Sequence, residues 1–184
     1  MEQIVDIQKD IDWLSLVIEE RVKDINFDFN SILPENLSSN SFYSKFISDN
    51  NLTNQERLLL LLALIPNINP IYLFQKFNSQ YFSSIDYNTY ECPKYSSGII
   101  KSQTSDSFLA TGHTALYLIS GNCVQKRVNF ISQIYNNSFY IIKANIVVPI
   151  ANNNYDPILS NILTIDQSVA ISFMTNNLEH IQKK

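Results

Sequence analysis

Apolar residues recur at three- and four-residue steps over the first 25 positions, with Asp, Lys and Glu between them. The residues on this spacing are Ile4, Ile7, Ile11, Leu14, Val17, Ile18, Val22 and Ile25. The period predicts an amphipathic helix. Its apolar face either packs on the same chain or forms a seam with a partner, as in a short coiled coil. The acidic pairs Asp10 with Asp12 and Glu19 with Glu20 fall between the apolar positions, so we expect them on the solvated face.

A polar stretch, Asn26–Asn40, interrupts this pattern and predicts a loop, after which a short helix is expected over Ser41–Ser48. No internal repeat is visible. We therefore divide the chain into the N-terminal helix with its connecting segment (1–50), one domain (51–175) and a polar tail (176–184).

The strongest local signal is the pair Thr53 and Glu56, which has the spacing of a capping box and predicts a helix start. The run Leu58–Ile65 that follows is apolar on every face, which is typical of a buried central helix. This helix is expected to end before Pro66. A second helix is predicted over Ile71–Phe77.

The next segment, Asn78–Asp106, is rich in Tyr, Ser and Asn and has little periodicity, so it predicts an irregular loop with short strands. Its aromatic residues either form a binding surface or are partly buried. They are Tyr81, Phe82, Tyr87, Tyr90 and Tyr95.

Two further helices are predicted after this loop. One covers Ala115–Ser120, with Gly121 as its left-handed C-cap. The other runs from Cys123 to about Tyr135, with Asn122 as its N-cap. Its apolar positions again follow helical spacing: Val124, Val128, Ile131 and Ile134.

Near the end of the domain the residue pattern changes from helical to strand-like. Phe139–Ile150 is rich in β-branched and aromatic residues and predicts a strand, and Ile158–Ile165 predicts a return strand, so the two form a hairpin. Ser168–Met174 is a short helix or strand. The whole pattern predicts a mostly helical α+β fold with a C-terminal β-hairpin and an additional N-terminal amphipathic helix.

Composition narrows the function classes. The 184 residues are 45% hydrophobic and only 16% charged, so much of the surface is Asn, Ser, Gln and Tyr, which favours short-range neutral contacts with a protein partner. A formal charge of -4 argues against a nucleic-acid binder. The longest apolar run is far shorter than the ~20 residues that span a bilayer, and the N-terminus lacks the features of a signal peptide. We expect a cytoplasmic protein without a membrane contact.

Residues for catalysis are few. The three glycines do not form a phosphate-binding loop, and the cysteines and histidines are too scattered for a metal site: Cys92, Cys123, His113 and His180. We therefore expect no cofactor, metal or enzymatic activity. Cys123 is expected to be a small buried residue; nucleophilic catalysis by Cys123 with His113 is the alternative. A disulfide is not needed in a chain of this size.

Two blocks of the chain resemble one protein family. The first is Leu52-Thr53-x-Gln55-Glu56-Arg57-Leu58, then Leu62-Ala63-Leu64-x-Pro66 and x-Pro70-x-x-Leu73; the second is Phe108-Leu109-x-Thr111-Gly112-x-Thr114-Ala115-Leu116, then Gly121. They are similar to the patterns LxxxERLxLxLALAPHLxPxxL and GFLPTGETALFLLAG. Both patterns belong to the N-terminal domain of a Bacteroidetes AAA+ ATPase family whose genes accompany contractile injection systems. The resemblance spans roughly Leu52 to Met174.

The family's N-terminal domain is a variant winged helix, so the resemblance implies a winged-helix-like core here. This chain departs from the family where Ser96, Ser97, Ser102 and Asp106 replace glycines and basic residues, and where His113 replaces a Glu. The family continues into a linker and an ATPase module beyond the position of Lys184. We expect either a stand-alone relative or a separately produced domain, without ATPase activity in both cases.

Such domains recruit substrates or adaptors to an ATPase ring. The resemblance therefore implies a non-catalytic adaptor or structural accessory of a contractile, type VI-like apparatus, whose partner is the ATPase or a tail, baseplate or sheath component. The sequence does not decide whether the chain forms a homo-oligomer. The candidate partner-binding residues are Tyr81, Tyr87, Tyr90, Tyr95, Lys101, His113, Lys126 and Arg127.

The alternative is a winged-helix transcriptional regulator that binds DNA. Its recognition helix would be Ile71–Phe77 or Cys123–Tyr135, and only the second has two adjacent basic residues, Lys126 and Arg127.

Overall fold

The structure is a computed structural model that describes residues 2–38, 40–78, 98–150 and 157–176. Its helices are α1 (Glu2–Lys23), α2 (Phe42–Asp49), α3 (Asn54–Ile68), α4 (Tyr72–Asn78), α5 (Gly112–Ser120), α6 (Val124–Tyr135), α7 (Tyr140–Lys143) and α8 (Gln167–Thr175). Its strands are β1 (Ile100–Lys101), β2 (Phe108–Leu109), β3 (Val147–Ile150) and β4 (Ile162–Ile165). Short 3₁₀ turns cover Phe29–Ser31 and Ile158–Ser160.

Helix α3 lies at the centre of the core. The predicted capping box is present: the amide of Glu56 donates to Thr53 Oγ1 at 3.3 Å, and the amide of Thr53 donates to the Glu56 carboxylate at 3.0 Å. Every residue of Leu58–Ile65 is at most 3% exposed. The helix contacts α1, α4, α5 and both hairpins, which explains why it is apolar on all sides.

The prediction that α3 ends before Pro66 is wrong. The helix continues to Ile68, and the amide of Asn69 donates to the Ile65 carbonyl at 2.8 Å. Because Pro66 lies in the last turn, its missing N–H costs only the bond to the carbonyl four residues earlier, and the turn that follows is completed normally.

Helix α1 packs on its own chain through most of the predicted apolar face, but Ile4 near its start is 71% exposed. Trp13, Leu14, Val17 and Ile18 are at most 2% exposed, and the Trp13 indole N–H donates to the carbonyl of Ile32 at 3.0 Å. Of the two uses that the sequence left open for this face, the structure shows packing within the chain.

Two small antiparallel hairpins complete the fold. β1 pairs with β2, and β3 pairs with β4 in a register that places Pro149 opposite Leu163. The amide of Leu163 points away from β3, because it donates to the Ala110 carbonyl at 2.9 Å. The nitrogen of Pro149 therefore faces the outer edge of β3, where a proline removes a donor without breaking the pairing.

The prediction of one strand over Phe139–Ile150 is wrong in its first half, where α7 forms. The amide of Tyr140 donates to the Glu56 carboxylate at 2.6 Å and starts the turn. In α7 the side chains of Ile141 and Ile142 are buried in the core. Here tertiary contacts override the β propensity of an aromatic and β-branched run.

The remaining predictions of the fold class are confirmed: the chain is mostly helical and α+β, with an N-terminal amphipathic helix and a C-terminal β-hairpin. Ser168–Met174 belongs to a helix, α8. Within the described ranges, no single helix has both the length and the apolar content needed to cross a membrane.

Candidate protein-interaction surface

The surface of interest is built on α6, whose apolar arc is wider than the face that the domain covers. Phe130 and Ile134 are buried against the core. Val124, Val128 and Tyr135 are 73%, 55% and 59% exposed, although at 100° per residue they lie on one side of the helix. Half-buried Ile131 joins the two groups. We call Val124, Val128, Ile131 and Tyr135 the α6 strip.

Val124 and Val128 share the helical spacing of buried Ile134 but are exposed. The periodicity correctly identified an apolar side of α6, but the neighbouring elements cover only its Phe130 edge. The strip residues follow the steps i, i+4, i+7 and i+11, so they form a continuous ridge along three turns in which Ile131 is partly buried against the core. Contiguous exposed apolar surface of this kind is typical of protein-binding sites.

One basic group, Arg127, stands beside the strip, and α6 itself has no acidic residue. On the opposite side of α6, the ammonium group of Lys126 is 2.7 Å from the Asp28 carboxylate, and this partner lowers the pKa of Asp28 below its ordinary value. The Arg127 guanidinium donates to the carbonyl of Gly121 at 2.6 Å. Arg127 thus lies between the core and the strip and gives this border a positive charge.

The corner before α6 is fixed by close packing around Gly121. Gly121 has φ +50°, a conformation that favours glycine. A Cβ there would be 2.0 Å from the Ile25 carbonyl oxygen, so only glycine fits at this position. The buried guanidinium of Arg21 donates to the carbonyls of Leu118 and Ile25 at 3.0 and 2.6 Å. The corner therefore ties the end of α1 to α5 and sets the direction of α6.

The second family-like block is also a packed structure rather than an exposed one. Thr111 Oγ1 donates to the carbonyl of Gly98 at 2.7 Å, and its amide donates to Thr114 Oγ1 at 3.0 Å. A Cβ on Gly112 would be 2.9 Å from the carbonyl oxygen of Leu159. This segment joins α5 to the β3–β4 hairpin, because Thr111 also pairs with Ile162.

Two of the predicted partner-binding residues, His113 and Arg127, lie close enough for the charge of Arg127 to act on His113. His113 lies half-buried in the first turn of α5. Burial, and then the positive charge of Arg127, lower the pKa of His113 below its ordinary value. Lys101 lies on β1, with its ammonium group 3.4 Å from Asp106. Candidates in the Tyr-rich segment lie outside the described residues: Tyr81, Tyr87, Tyr90 and Tyr95.

The prediction that Cys123 is buried is wrong. Its side chain is exposed, and the residue occupies the N-cap position of α6 that the sequence assigned to Asn122. The cap makes no side-chain hydrogen bond. Cys92 and His180 lie outside the described residues.

Buried acids on α1 were missed altogether. Asp10, expected on the solvated face, is fully buried and forms an ion pair with Arg57, and the Tyr43 hydroxyl donates to its carboxylate at 2.7 Å. Burial raises the pKa of Asp10, although the bonds and charge of Arg57 act in the other direction. This group ties α1 to α2 and α3.

Asp6 is the second buried acid, one turn before Asp10. Its carboxylate accepts from the Ser38 amide at 2.8 Å, from the Ser38 hydroxyl at 2.7 Å and from the Ser41 hydroxyl. Burial acts to raise the pKa of Asp6, but these hydrogen bonds outweigh it and the pKa is lowered. The network holds the connecting segment against α1.

Among residues 2–38, 40–78, 98–150 and 157–176, no group of three or more His, Cys, Asp or Glu side chains is placed to hold a metal ion. Comparison of the chain with protein-family models, with curated proteins and with solved structures finds no match.

Proposed function

We propose that this chain is a non-catalytic protein-interaction domain, an adaptor or structural accessory of a contractile injection apparatus or of its AAA+ ATPase. The observation that carries the interaction role is the α6 strip, an apolar ridge on a well-packed helix. The resemblance of the blocks at Leu52–Ile71 and Phe108–Gly121 supports the choice of apparatus. The β3–β4 hairpin follows α5 and α6 in the place that a wing has in a winged helix.

The strip indicates the kind of partner surface. Three turns of exposed apolar side chains fit the apolar face of a second helix, as in helix packing between proteins. Arg127 borders the strip and α6 has no acidic residue, so charge complementarity favours a partner helix that carries a carboxylate beside its apolar face. The proposed partner segment is therefore an amphipathic, acidic helix of the ATPase or of a tail, baseplate or sheath component.

DNA binding is less well supported. The helix that would serve as recognition helix exposes Val124, Val128 and Tyr135, and Lys126 is paired with Asp28. Phosphate contacts need cations that are available to release counterions. A mobility shift with duplex DNA that falls steeply with salt would favour the regulator over our proposal.

The test is retention of the products of the neighbouring genes on the immobilised chain. Two variants each place one new carboxylate on exposed α6, Val128→Asp in the strip and Gln125→Asp outside it. We expect the wild type and Gln125→Asp to retain the same partner, and Val128→Asp to retain at least ~10-fold less, because an apolar contact at the centre of an interface is lost. Failure to retain any of these products, or equal retention by Val128→Asp, would contradict the proposal.

A further inference from the structure

A second apolar surface lies where the start of α1, the end of α3 and the end of α8 meet. Ile4 on α1, Ile68 on α3 and Met174 on α8 are 71%, 41% and 48% exposed. They border one groove of about 340 Å³, which also has Ile7 and Ile11 in its wall. None of the described residues that line it is charged. We call this surface the α1–α8 groove.

The end of α8 is fixed at one end of this groove. The Gln3 side chain donates to the carbonyl of Ser172 at 3.4 Å and to that of Phe173, so the first turn of α1 holds the last turn of α8. Asn176 is in the left-handed region at φ +57°, and its side-chain oxygen accepts from the first amide of α2 at 2.9 Å. A left-handed residue at this position ends the helix and changes the direction of the chain. The chain therefore leaves α8 two residues after Met174, which borders the groove.

The segment that follows, residues 177–184, has side chains that suit the groove. Its sequence NLEHIQKK contains two apolar residues, Leu178 and Ile181. They lie two and five residues beyond Asn176, so an extended chain carries them up to about 7 and 17 Å from it. The groove follows α1 from Ile4 to Ile11, which is about 10 Å at the rise of an α-helix. Both apolar side chains can therefore reach it.

Charge gives the segment a direction along α1. Asp12 directly follows the groove residue Ile11, and it is exposed. The Gln8 side chain donates to its carboxylate at 2.8 Å, and the ion pairs found among the described residues do not include it. A chain that leaves α8 and runs along α1 past Ile11 brings Lys183 or Lys184 to this carboxylate. Such an exposed pair orients the segment more than it strengthens the contact.

Attachment to α8 favours this segment over a separate molecule as the occupant. A ligand that is joined to its site by a few residues has an effective concentration of about millimolar. Two apolar side chains make only a weak contact as a free peptide, but the same contact is occupied when the peptide is attached beside the groove.

We propose that residues 177–184 dock in the α1–α8 groove of their own chain, with Leu178 and Ile181 against its apolar wall and the two lysines beside Asp12. The docked segment is a strap that joins α8 to α1 and covers the exposed apolar side chains at the ends of α1, α3 and α8. The strap does not involve α6, so this inference does not rest on the proposed function.

Disulfide trapping in the full chain tests this docking. The background variant carries Cys92→Ser and Cys123→Ser. To it we add Gln182→Cys in the strap, together with either Gln8→Cys in the groove or Val5→Cys outside it. Val5 is a matched control because it is exposed on the same part of α1 but does not line the groove. In a glutathione buffer, the pair at 8 and 182 should close at least ~10-fold faster than the pair at 5 and 182, because docking holds its thiols close together. Peptide mapping by mass spectrometry measures both rates.

Substitutions in the strap show whether apolar contact causes this selectivity. Leu178→Ser and Ile181→Ser should each reduce the difference between the two pairs to about twofold or less, because each removes an apolar side chain from the groove. The matched control Glu179→Gln changes a residue between them and should leave the difference in place. Asp12→Asn should slow closure of the pair at 8 and 182 only about twofold, as expected for an exposed ion pair.

Three results would overturn the strap. The first is equal closure of the groove pair and the control pair, and the second is an unchanged difference in both serine variants. The third is a disulfide that joins two chains, seen as a concentration-dependent dimer on a non-reducing gel, because the segment of a second copy would then occupy the groove. None of these results bears on the α6 strip.

Discussion

Two amphipathic helices of this protein differ in whether the fold buries or exposes the residues that break their sequence pattern. On α1, Asp6 and Asp10 look like solvent-facing positions and are buried; on α6, Val124 and Val128 look like core positions and face solvent. In α1 each buried carboxylate has hydrogen-bond partners within the chain. In α6 the exposed apolar ridge has no cover among the described residues. The contrast separates polar groups that the fold buries and satisfies from an apolar ridge that it leaves exposed.

The test with the largest expected effect is the variant Arg57→Ala, which removes the ion-pair partner of the fully buried Asp10 carboxylate. The expected loss is about 3–5 kcal/mol of the free energy of unfolding, because Asp10 is left as an uncompensated buried charge. Urea denaturation measures it. The matched control Lys126→Ala breaks an exposed ion pair and should cost no more than about 1 kcal/mol. Similar losses for the two variants would contradict the distinction.

A second test compares truncation of one apolar residue on each helix. Leu14→Ala on α1 should lower the free energy of unfolding by about 2–5 kcal/mol, because the side chain is fully buried and leaves a cavity. Val128→Ala on α6 should change it by less than about 0.5 kcal/mol, since an exposed residue is replaced by a better helix former. Thermal and urea denaturation of both variants check this. A large loss for Val128→Ala would show that the strip already packs within the chain.

A third and smaller test is the pH dependence of Asp6→Asn. At neutral pH the variant should be less stable by about 1–3 kcal/mol, because hydrogen bonds to a charged carboxylate are weakened. The pKa of Asp6 is lowered in the folded protein, so its contribution is present above the unfolded pKa and is lost as pH falls through the folded value. The gap between wild type and variant should therefore narrow in acid. A gap that is constant from pH 7 to about pH 3 would contradict the role of the charge.

The sequence predicted what depends on local rules. The capping box of Thr53 and Glu56, the apolar centre of α3 and the helical face of α1 rest on neighbours along the chain, and all three are present. The start of α7 could not be predicted, because it depends on Glu56 accepting the amide of Tyr140 from far along the chain. Propensity alone favours a strand there.

For the candidate surface, the sequence predicted the helix but not which part of its apolar arc is covered. Coverage of α6 depends on how α5 and the 3₁₀ turn approach it, which periodicity does not record. A signal for the buried acids was present, however. Asp6 and Asp10 share the three- and four-residue steps that lead to Trp13 and Val17, so they fall on the stripe that the fold buries.

Pro149 bears on how this protein can associate with others. An exposed strand edge with free amides invites another strand to join it, which leads to uncontrolled growth into aggregates. The proline on the outer edge of β3 withholds one of the donors that such growth requires. The proline therefore makes this edge a poorer template for the addition of a further strand.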